Sequence, residues 1–255
     1  MILQALKSAR KCWVTGHRGA MEYAPENTAS SFKEGLRRGA DALECDVHLS
    51  KDGQCVVMHD ESVERTTNGQ GLVSQLKAAQ IKKLDGGSWF SKKFKGEKIW
   101  LLQDLLRWAW RQKTVQGNPL CIVIEVKNEP VRYLQIEKKI LDCVVKCKMK
   151  NRVVIISFDH GVVKRMKQLD SEIFCGILYD RPLADPMARA KQMSADAIFP
   201  RRNLISKKLV ERARSQKLFI GTWTVNEPKE MKKILRMKPD MITSNVPDRL
   251  IQHFD

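Results

Sequence analysis

Short β-branched segments alternate with amphipathic segments along almost the whole chain, and this alternation constrains the fold more than any other feature. Strands that each lead into a helix are typical of a (β/α)8 barrel. A doubly wound open sheet is the second candidate for the same pattern. The predicted strands are Cys12–Thr15, Ala42–Val47, Leu120–Val126, Val153–Ser157, Ile173–Leu178, Ala197–Phe199, Leu218–Thr222 and Met241–Thr243. The predicted helices are Asn27–Arg38, Leu101–Arg111, Val131–Lys148, Asp159–Leu169, Pro186–Met193, Ser206–Arg214 and Pro228–Met237.

The domain organisation is simple apart from one irregular connection. No Gly-rich linker or change of composition divides the chain, so residues 1–255 are predicted to form a single domain. Between Glu61 and Ile99 the sequence has no strong strand and contains several glycine turns. Long irregular connections in compact domains are usually functional or mobile. We therefore expect residues 61–99 to be an insertion that packs over one end of the barrel, after its second strand.

The charge of the chain bears on its partners. The sequence has 46 basic and 29 acidic residues, a net charge of +17, which attracts anionic partners without defining a fold. A nucleic-acid-binding protein is therefore one alternative. The basic residues, however, are scattered over helical patterns, and no RNA-recognition, zinc-finger or helix-turn-helix pattern occurs. We expect no nucleic-acid partner, and membrane association only through a peripheral basic surface.

Targeting signals and cysteine motifs are absent from the sequence. Residues Met1–Arg10 lack a basic region followed by an apolar stretch. The longest apolar runs fall well below the ~20 residues that span a bilayer. The seven cysteines include no Cys-x-x-Cys pair, which favours reduced thiols. We therefore expect a cytoplasmic location, and no particular oligomeric state is predicted.

A histidine and an arginine directly follow the first predicted strand, in Gly16-His17-Arg18-Gly19. Residues just beyond the end of a barrel strand line the mouth where ligand chemistry takes place. His17 can move protons near neutral pH. Arg18 presents a planar set of donors that suits phosphate oxygens. The alternative interpretation of this segment is an ordinary surface turn.

Carboxylates lie at the ends of two other predicted strands. Glu44 and Asp46 are two residues apart and so face the same side, while Glu125 ends a buried apolar strand. Such like charges raise one another's pKa unless a cation lies between them. Oxygen ligands of this kind suit Mg²⁺ or Ca²⁺, whereas the alternative is a salt bridge to Arg or Lys. Lys127, which faces the same way as Glu125, suits an anionic oxygen such as that of a phosphate.

A predicted hairpin brings a second histidine to the same place. Asp52-Gly53 is a favoured two-residue turn between antiparallel strands. With these two as the central turn residues, counting back places Asp46 opposite His59, and cross-strand partners share a face. A slip of one residue would turn His59 away. His48 is expected to lie outside the site.

Ordered motifs extend through nearly the whole chain. They are His17-Arg18-Gly19, Pro25-Glu26-Asn27-Thr28, Gly39-Ala40-Asp41, Glu44-x-Asp46-Val47, Lys51-Asp52-Gly53, Val56-Val57-x-His59-Asp60, Arg65-Thr66-Thr67, Ile124-Glu125-Val126-Lys127, Ser157-Phe158, Trp223-Thr224-Val225-Asn226 and Val246-Pro247-Asp248. Together they resemble the glycerophosphodiester phosphodiesterase family, of the bacterial, metal-dependent type. The ordered set is far more specific than any one of its motifs.

The resemblance implies a fold and an activity. The fold is a TIM (β/α)8 barrel with a small insertion after the second strand. The activity is hydrolysis of glycerophosphodiesters, such as glycerophosphocholine or glycerophosphoethanolamine, to glycerol 3-phosphate and an alcohol, with one divalent cation, Mg²⁺ or Ca²⁺. The implied site residues are His17 and His59 as general acid and base, Glu44, Asp46 and Glu125 as metal ligands, and Arg18, Lys127 and Trp223 as substrate contacts.

Two departures from the family pattern and two further alternatives stand beside this prediction. Ile99–Asp104 lacks a proline, a threonine and glutamates that are common there, and Asp240–Asn245 lacks an aspartate often seen near its end. We expect neither departure to touch the site. Lysophospholipase D-type or sphingomyelinase D-type cleavage on the same scaffold is the alternative activity, since the lysines of the insertion suit an anionic interface. A catalytically dead scaffold is disfavoured because every implied site residue is present.

Overall fold

The computed structural model describes residues 12–254, so the prediction for Met1–Arg10 lies outside the described residues. The strands are β1 (Trp13–Gly16), β2 (Ala42–Leu49), β3 (Cys55–Val57), β4 (Cys121–Val126), β5 (Val153–Ser157), β6 (Phe174–Tyr179), β7 (Ala197–Pro200), β8 (Phe219–Thr222) and β9 (Met241–Ser244). The α-helices are α1 (Ala29–Arg37), α2 (Ala78–Ile81), α3 (Leu102–Trp110), α4 (Ile136–Lys146), α5 (His160–Leu169), α6 (Pro186–Gln192), α7 (Lys207–Ser215), α8 (Pro228–Leu235) and α9 (Pro247–Ile251). Short 3₁₀ helices cover Val73–Gln75, Lys92–Phe94 and Lys150–Arg152.

Eight parallel strands close into a barrel. Their order is β1-β9-β8-β7-β6-β5-β4-β2, and β1 pairs with β2 to close the ring. The predicted (β/α)8 barrel is confirmed, and the open-sheet alternative is wrong. The remaining strand, β3, is antiparallel to β2. Because all eight barrel strands run the same way, their ends meet at one mouth.

Polar residues at the mouth are the N-caps of several helices that begin there. The hydroxyl of Thr28 accepts a hydrogen bond from the backbone N–H of Ser31 at the start of α1. Asp159, Asp185 and Ser206 cap α5, α6 and α7 in the same way. Each cap satisfies a backbone donor that the first helical turn leaves without a partner. The caps therefore fix where the chain turns from a strand into its helix.

Alternation along the strands separates two hydrophobic cores. One face of each strand packs against the surrounding helices, and the other face fills the barrel. Inside the barrel, the ring of Phe199 lies between two glycines. A Cβ atom at Gly176 would be 2.4 Å from Phe199 Cε2, and one at Gly221 would be 2.5 Å from Phe199 Cε1. These two positions therefore need glycine to leave room for the ring.

The long connection between β3 and α3 has a small hydrophobic core of its own. Val56, Met58, Val63, Val73, Ile81 and Ile99 form that cluster. Asp85 organises the turns around it by accepting hydrogen bonds from the backbone N–H groups of Gly87, Ser88 and Gly96. The segment therefore has regular packing although it has few regular elements. That residues 61–99 are an insertion within a single domain stays a prediction.

The hairpin has a different register from the predicted one. Val47 pairs with Val57, and the backbone N–H of Met58 donates to Asp46 O at 3.0 Å, so Asp46 lies opposite Met58 and not His59. The prediction was wrong because the loop has three residues. Ser50 pairs with Gln54, and Gly53 adopts a φ of +70°. A turn followed by a left-handed glycine is the usual form of a three-residue hairpin loop.

Two further features bear on the sequence predictions. Among residues 12–254, no helix combines the length and the apolar character that crossing a bilayer would require. All seven cysteines are free, and six of them are buried.

Candidate active site

Three carboxylates meet at the mouth of the barrel. Strand β2 places Glu44 and Asp46 on its inner face, and β4 places Glu125 directly beside Asp46 in the ladder. Side-chain oxygens of the three residues lie within 4.8 Å of one another. Glu44 and Asp46 are buried, and the side chain of Glu125 is 12% exposed. We call Glu44, Asp46 and Glu125 the acidic cluster.

Two cations lie against the acidic cluster. Lys127 Nζ is 3.0 Å from Asp46 Oδ1 and also contacts Glu125 Oε1. Arg18 Nε is 3.4 Å from Asp46 Oδ2, and the backbone N–H of Arg18 donates to Glu44 Oε2 at 2.8 Å. The salt bridges that the sequence left as an alternative are therefore present together with the clustered carboxylates.

The pKa values of the acidic cluster diverge because the neighbours of its members differ. Burial opposes the charged form of Asp46, but Lys127 and Arg18 outweigh it and hold the pKa of Asp46 well below its usual range. Burial, Asp46 and Glu125 raise the pKa of Glu44. Burial also raises the pKa of Glu125, although Lys127 opposes it. The cluster therefore combines one firm anion with two carboxylates that another cation would help to ionise.

The oxygens of the acidic cluster fit a divalent cation. Glu44 Oε1 is buried and has no hydrogen-bond partner within residues 12–254. When all three carboxylates are ionised, Lys127 and Arg18 leave one negative charge uncompensated. Carboxylate oxygens are the donors that hard cations such as Mg²⁺ and Ca²⁺ prefer. The donor set and the buried oxygen are therefore compatible with such an ion.

His17 lies at the end of β1, beside the acidic cluster. Its Nδ1–H donates to Asn245 Oδ1 at 2.7 Å. An amide oxygen can only accept, so Nδ1 carries the proton and the other ring nitrogen has none. That nitrogen, Nε2, is 4.0 Å from Glu44 Oε2. Burial and the charge of Arg18 lower the pKa of His17 to about 4, so the ring is neutral at pH 7.

His59 lies at the same site despite the changed hairpin register. Strand β3 ends at Val57, so strand alternation no longer fixes the direction of the residues that follow. His59 Nδ1–H donates to Asp60 Oδ1 at 2.6 Å. The His59 ring is close enough to the acidic cluster for its protonated form to help lower the pKa of Asp46, and the same form lowers the pKa of His17. The two predicted histidines are therefore brought together.

A chain of charged groups connects Arg18 with His59. The guanidinium of Arg65 donates to Asp60 Oδ2 at 2.6 Å and to both oxygens of Glu26 at 2.8 Å. Glu26 also accepts from Arg18 Nη1 at 2.7 Å. Hydrogen bonds from Arg65 lower the pKa of Asp60 to about 2, so Asp60 is an anion where it meets His59. The network fixes the position of both groups.

Trp223 forms a wall of a cavity next to His17. The cavity has a volume of about 460 Å³ and is also lined by Met21, Asp180 and Arg201. Trp223 Nε1–H donates to Phe199 O at 3.0 Å, which holds the indole in place. A cavity of about 610 Å³ lies elsewhere, and its lining contains none of the predicted site residues.

Comparison with known proteins identifies the family. The sequence profile of the glycerophosphoryl diester phosphodiesterase family matches residues 17–249. The chain belongs to this family. A glycerophosphodiester phosphodiesterase of Caldanaerobacter subterraneus subsp. tengcongensis is 35% identical over 241 residues, which cover 94% of this chain and 97% of the relative. The predicted family and enzyme class, a phosphodiesterase, are confirmed.

Solved structures agree with the fold of this phosphodiesterase family member. A glycerophosphodiester phosphodiesterase of Agrobacterium tumefaciens superposes with a TM-score of 0.83 at 26% identity, covering 94% of this chain and 99% of that one. A phosphodiesterase of Oleispira antarctica, solved in complex with the product sn-glycerol-3-phosphate, gives a TM-score of 0.82 at 23% identity, with coverage of 94% and 96%.

Two histidines of this phosphodiesterase family member make contacts that were not predicted from the sequence. His48, expected outside the site, is buried and donates from Nε2 to His59 O at 3.0 Å, while its Nδ1 accepts from Tyr133 Oη. Asn245, the last residue of the departure Asp240–Asn245 that was expected not to touch the site, accepts a hydrogen bond from His17 Nδ1–H. No local signal marks these pairs, because Tyr133 and Asn245 lie 85 and 228 residues from their partners.

Proposed function

We propose that this phosphodiesterase hydrolyses glycerophosphodiesters, such as glycerophosphocholine or glycerophosphoethanolamine, to glycerol 3-phosphate and an alcohol. The proposal rests on one observation: the acidic cluster, two cations and two imidazoles lie together at one barrel mouth. The relatives named glycerophosphodiester phosphodiesterases and the product complex of the Oleispira protein support this substrate class.

The acidic cluster is the proposed site of one divalent cation. Glu44, Asp46 and Glu125 would hold Mg²⁺ or Ca²⁺ through their carboxylate oxygens. Such an ion, when bound, offsets negative charge on phosphoryl oxygens. The raised pKa of Glu44 and the lack of a hydrogen-bond partner at its Oε1 within the described residues support this assignment.

Arg18 and Lys127 are proposed to bind the phosphodiester. Both cations lie at the edge of the acidic cluster, and the Arg18 side chain is held by Glu26. Their N–H groups would donate to the non-bridging phosphoryl oxygens, where charge grows as the new P–O bond forms. Trp223 would line the cavity that receives the organic part of the substrate.

His17 and His59 are proposed to move the protons. Each has its Nδ1 engaged, by Asn245 and by Asp60, so that each offers Nε2 to the reacting groups. One imidazole takes the proton from the attacking oxygen, which is either water or the glycerol 2-hydroxyl, and the other gives a proton to the departing alcohol as its P–O bond breaks. Over the whole reaction one water is consumed and no net proton stays on either ring.

Release of glycerol 3-phosphate from purified protein tests the proposal. We expect activity that a chelator abolishes and that Mg²⁺ or Ca²⁺ restores. His17→Ala and His59→Ala should each lower kcat about 10²–10⁴-fold, and His253→Ala, in the last turns of the chain, is the matched control. Full activity in a variant lacking both His17 and His59 would refute the assigned roles.

The same assay separates the proposed activity from the lysophospholipase D-type alternative. Lysophosphatidylcholine micelles are offered in parallel with glycerophosphocholine at equal phosphodiester concentration. We expect choline and glycerol 3-phosphate from the water-soluble diester. Turnover of the micellar substrate alone would favour the alternative. A cytoplasmic location and the lack of a nucleic-acid partner stay predictions.

A further inference from the structure

We infer that Asn245 is a positioning residue that fixes the tautomer and the orientation of His17 through a neutral hydrogen bond. The inference deepens the proposed function and rests on it where it concerns turnover. Asn245 touches the imidazole and not the reacting atoms, so its effect on catalysis passes through His17.

The contact between His17 and Asn245 determines where the ring proton lies. His17 Nδ1 and Asn245 Oδ1 are 2.7 Å apart, a normal to short distance for a hydrogen bond. The oxygen has no proton to give, so the bond exists only in the tautomer with hydrogen on Nδ1. The same bond selects the ring rotation that directs Nε2 to the acidic cluster, 4.0 Å from Glu44 Oε2. Loss of the acceptor would free both the tautomer and the rotation.

Asn245 is itself held in place by hydrogen bonds. Its backbone N–H donates to Asn226 Oδ1 at 2.9 Å, and the same oxygen accepts from Ser244 Oγ at 3.3 Å. The backbone N–H of His17 donates to Ser244 O at 2.9 Å. The backbone and the ring of His17 are therefore both attached to the end of β9. This arrangement follows from the ladder, because Gly16 pairs with Ser244 and the next residue on each strand then lies side by side.

The two histidines have partners of different charge. His59 meets a carboxylate, Asp60, whose pKa Arg65 holds low. His17 meets an amide, which accepts the same kind of hydrogen bond without adding charge. A carboxylate at position 245 would be a further anion close to the acidic cluster, where like charges already oppose ionisation. An amide therefore orients His17 without adding to that repulsion.

The decisive measurement is the tautomer of His17, which needs no turnover. Long-range ¹H–¹⁵N spectra of protein with ¹⁵N-labelled histidine distinguish a proton on Nδ1 from one on Nε2, and His17→Ala assigns the signals. We expect the Nδ1–H form in the wild-type protein. Asn245→Leu, which keeps the size of the side chain but removes the acceptor, should give a mixture of tautomers, and Asn245→Asp should keep the Nδ1–H form. An Nε2–H tautomer in the wild type, or an unchanged spectrum in Asn245→Leu, overturns the inference.

Kinetics supply the second readout. Asn245→Leu should lower kcat for glycerophosphocholine about 10- to 100-fold, the usual effect of losing a residue that orients a functional histidine. KM should stay within about twofold, because the contacts to the substrate remain. Asn245→Asp should recover most of the lost rate, because a carboxylate oxygen accepts a hydrogen bond from the same Nδ1–H group.

The controls separate positioning from folding and from the proposed function itself. Asn151→Leu, an exposed asparagine at the other end of the barrel, should leave both kcat and the spectrum unchanged. The contrary outcome is a loss of kcat in Asn245→Leu without recovery in Asn245→Asp, together with an equal fall of the melting temperature in both variants. That result would assign Asn245 a purely structural role and overturn the inference. Absence of turnover in the wild type would refute the proposed function, while the tautomer measurement would still decide the role of Asn245.

Discussion

Replacing Gly221 with alanine tests whether packing inside the barrel supports the site above it. The new methyl group would lie 2.5 Å from Cε1 and 2.6 Å from Cδ1 of the Phe199 ring. Carbon atoms in contact are normally about 3.5–4.0 Å apart, so the ring would have to move by roughly 1 Å. It cannot simply move away, because a Cβ at Gly176, on its opposite edge, would already be 2.4 Å from Cε2.

The expected cost of Gly221→Ala follows from this confinement. Overpacking a filled core typically lowers the free energy of unfolding by about 1–3 kcal/mol. For a chain of this length, each kcal/mol lowers the melting temperature by about 2–4 °C, so the melting temperature should fall by about 2–12 °C. The backbone oxygen of Phe199 accepts the Trp223 Nε1–H bond, so a displaced ring should also raise KM for the diester.

Thermal unfolding followed by circular dichroism, with steady-state kinetics on the same samples, measures both effects. Phe199→Leu in the Gly221→Ala background is the control, because the smaller side chain vacates the space that the methyl group needs. The double variant should therefore be more stable than the sum of the two single changes predicts. An unchanged melting temperature in Gly221→Ala, or simple additivity in the double variant, would refute the reasoning.

Three other predictions concern the charged and polar contacts of the site. Lys127→Met should lower the free energy of unfolding by about 3 kcal/mol or more when a chelator is present, because it leaves Asp46 buried without its closest cation. Ca²⁺ should then raise the melting temperature of this variant more than that of the wild type. An equal or smaller rise would contradict the shared site. Arg65→Met should destabilise the protein at neutral pH and progressively less as the pH falls from about 4 towards 2. The reason is that the folded-state pKa of Asp60, about 2, lies below its unfolded value of about 4. The Arg65 contact therefore contributes fully to stability above pH 4, and this contribution is lost as the pH falls towards 2. A loss of stability in Arg65→Met that does not depend on pH in acid denaturation would contradict this prediction. Tyr133→Phe removes the hydroxyl that donates to His48, and it should lower the free energy of unfolding by about 1 kcal/mol. We also expect a measurable fall in kcat. An unchanged kcat would show that His48 holds His59 without Tyr133.

The barrel and the acidic cluster were predictable from the sequence because each rests on local information. Alternating segments define eight strands, and a period of two places Glu44 and Asp46 on one face. Glu125 could be added because a charge at the end of an apolar strand at a barrel mouth needs a partner. In each case the residue types and their spacing within one segment are enough to make the prediction.

Other contacts could not be predicted because they depend on geometry that no single segment specifies. The hairpin register depended on whether the turn has two or three residues, and Asp52-Gly53 is compatible with both. His59 lies at the site because β3 ends two residues earlier, which no alternation rule foresees. The position of Asn245 follows from pairing between the first and the last strand of the barrel.

Pairing of β1 with β9 has a consequence for how the enzyme comes into being. A ribosome makes the three acidic residues in the first half of the chain, whereas the acceptor for His17 emerges 228 residues after that histidine. A nascent chain that stops before Met241 could gather the carboxylates but would lack both the strand that closes the ring and the amide that orients the imidazole. Hydrolytic competence should therefore arise only after β9 and Asn245 have been synthesised.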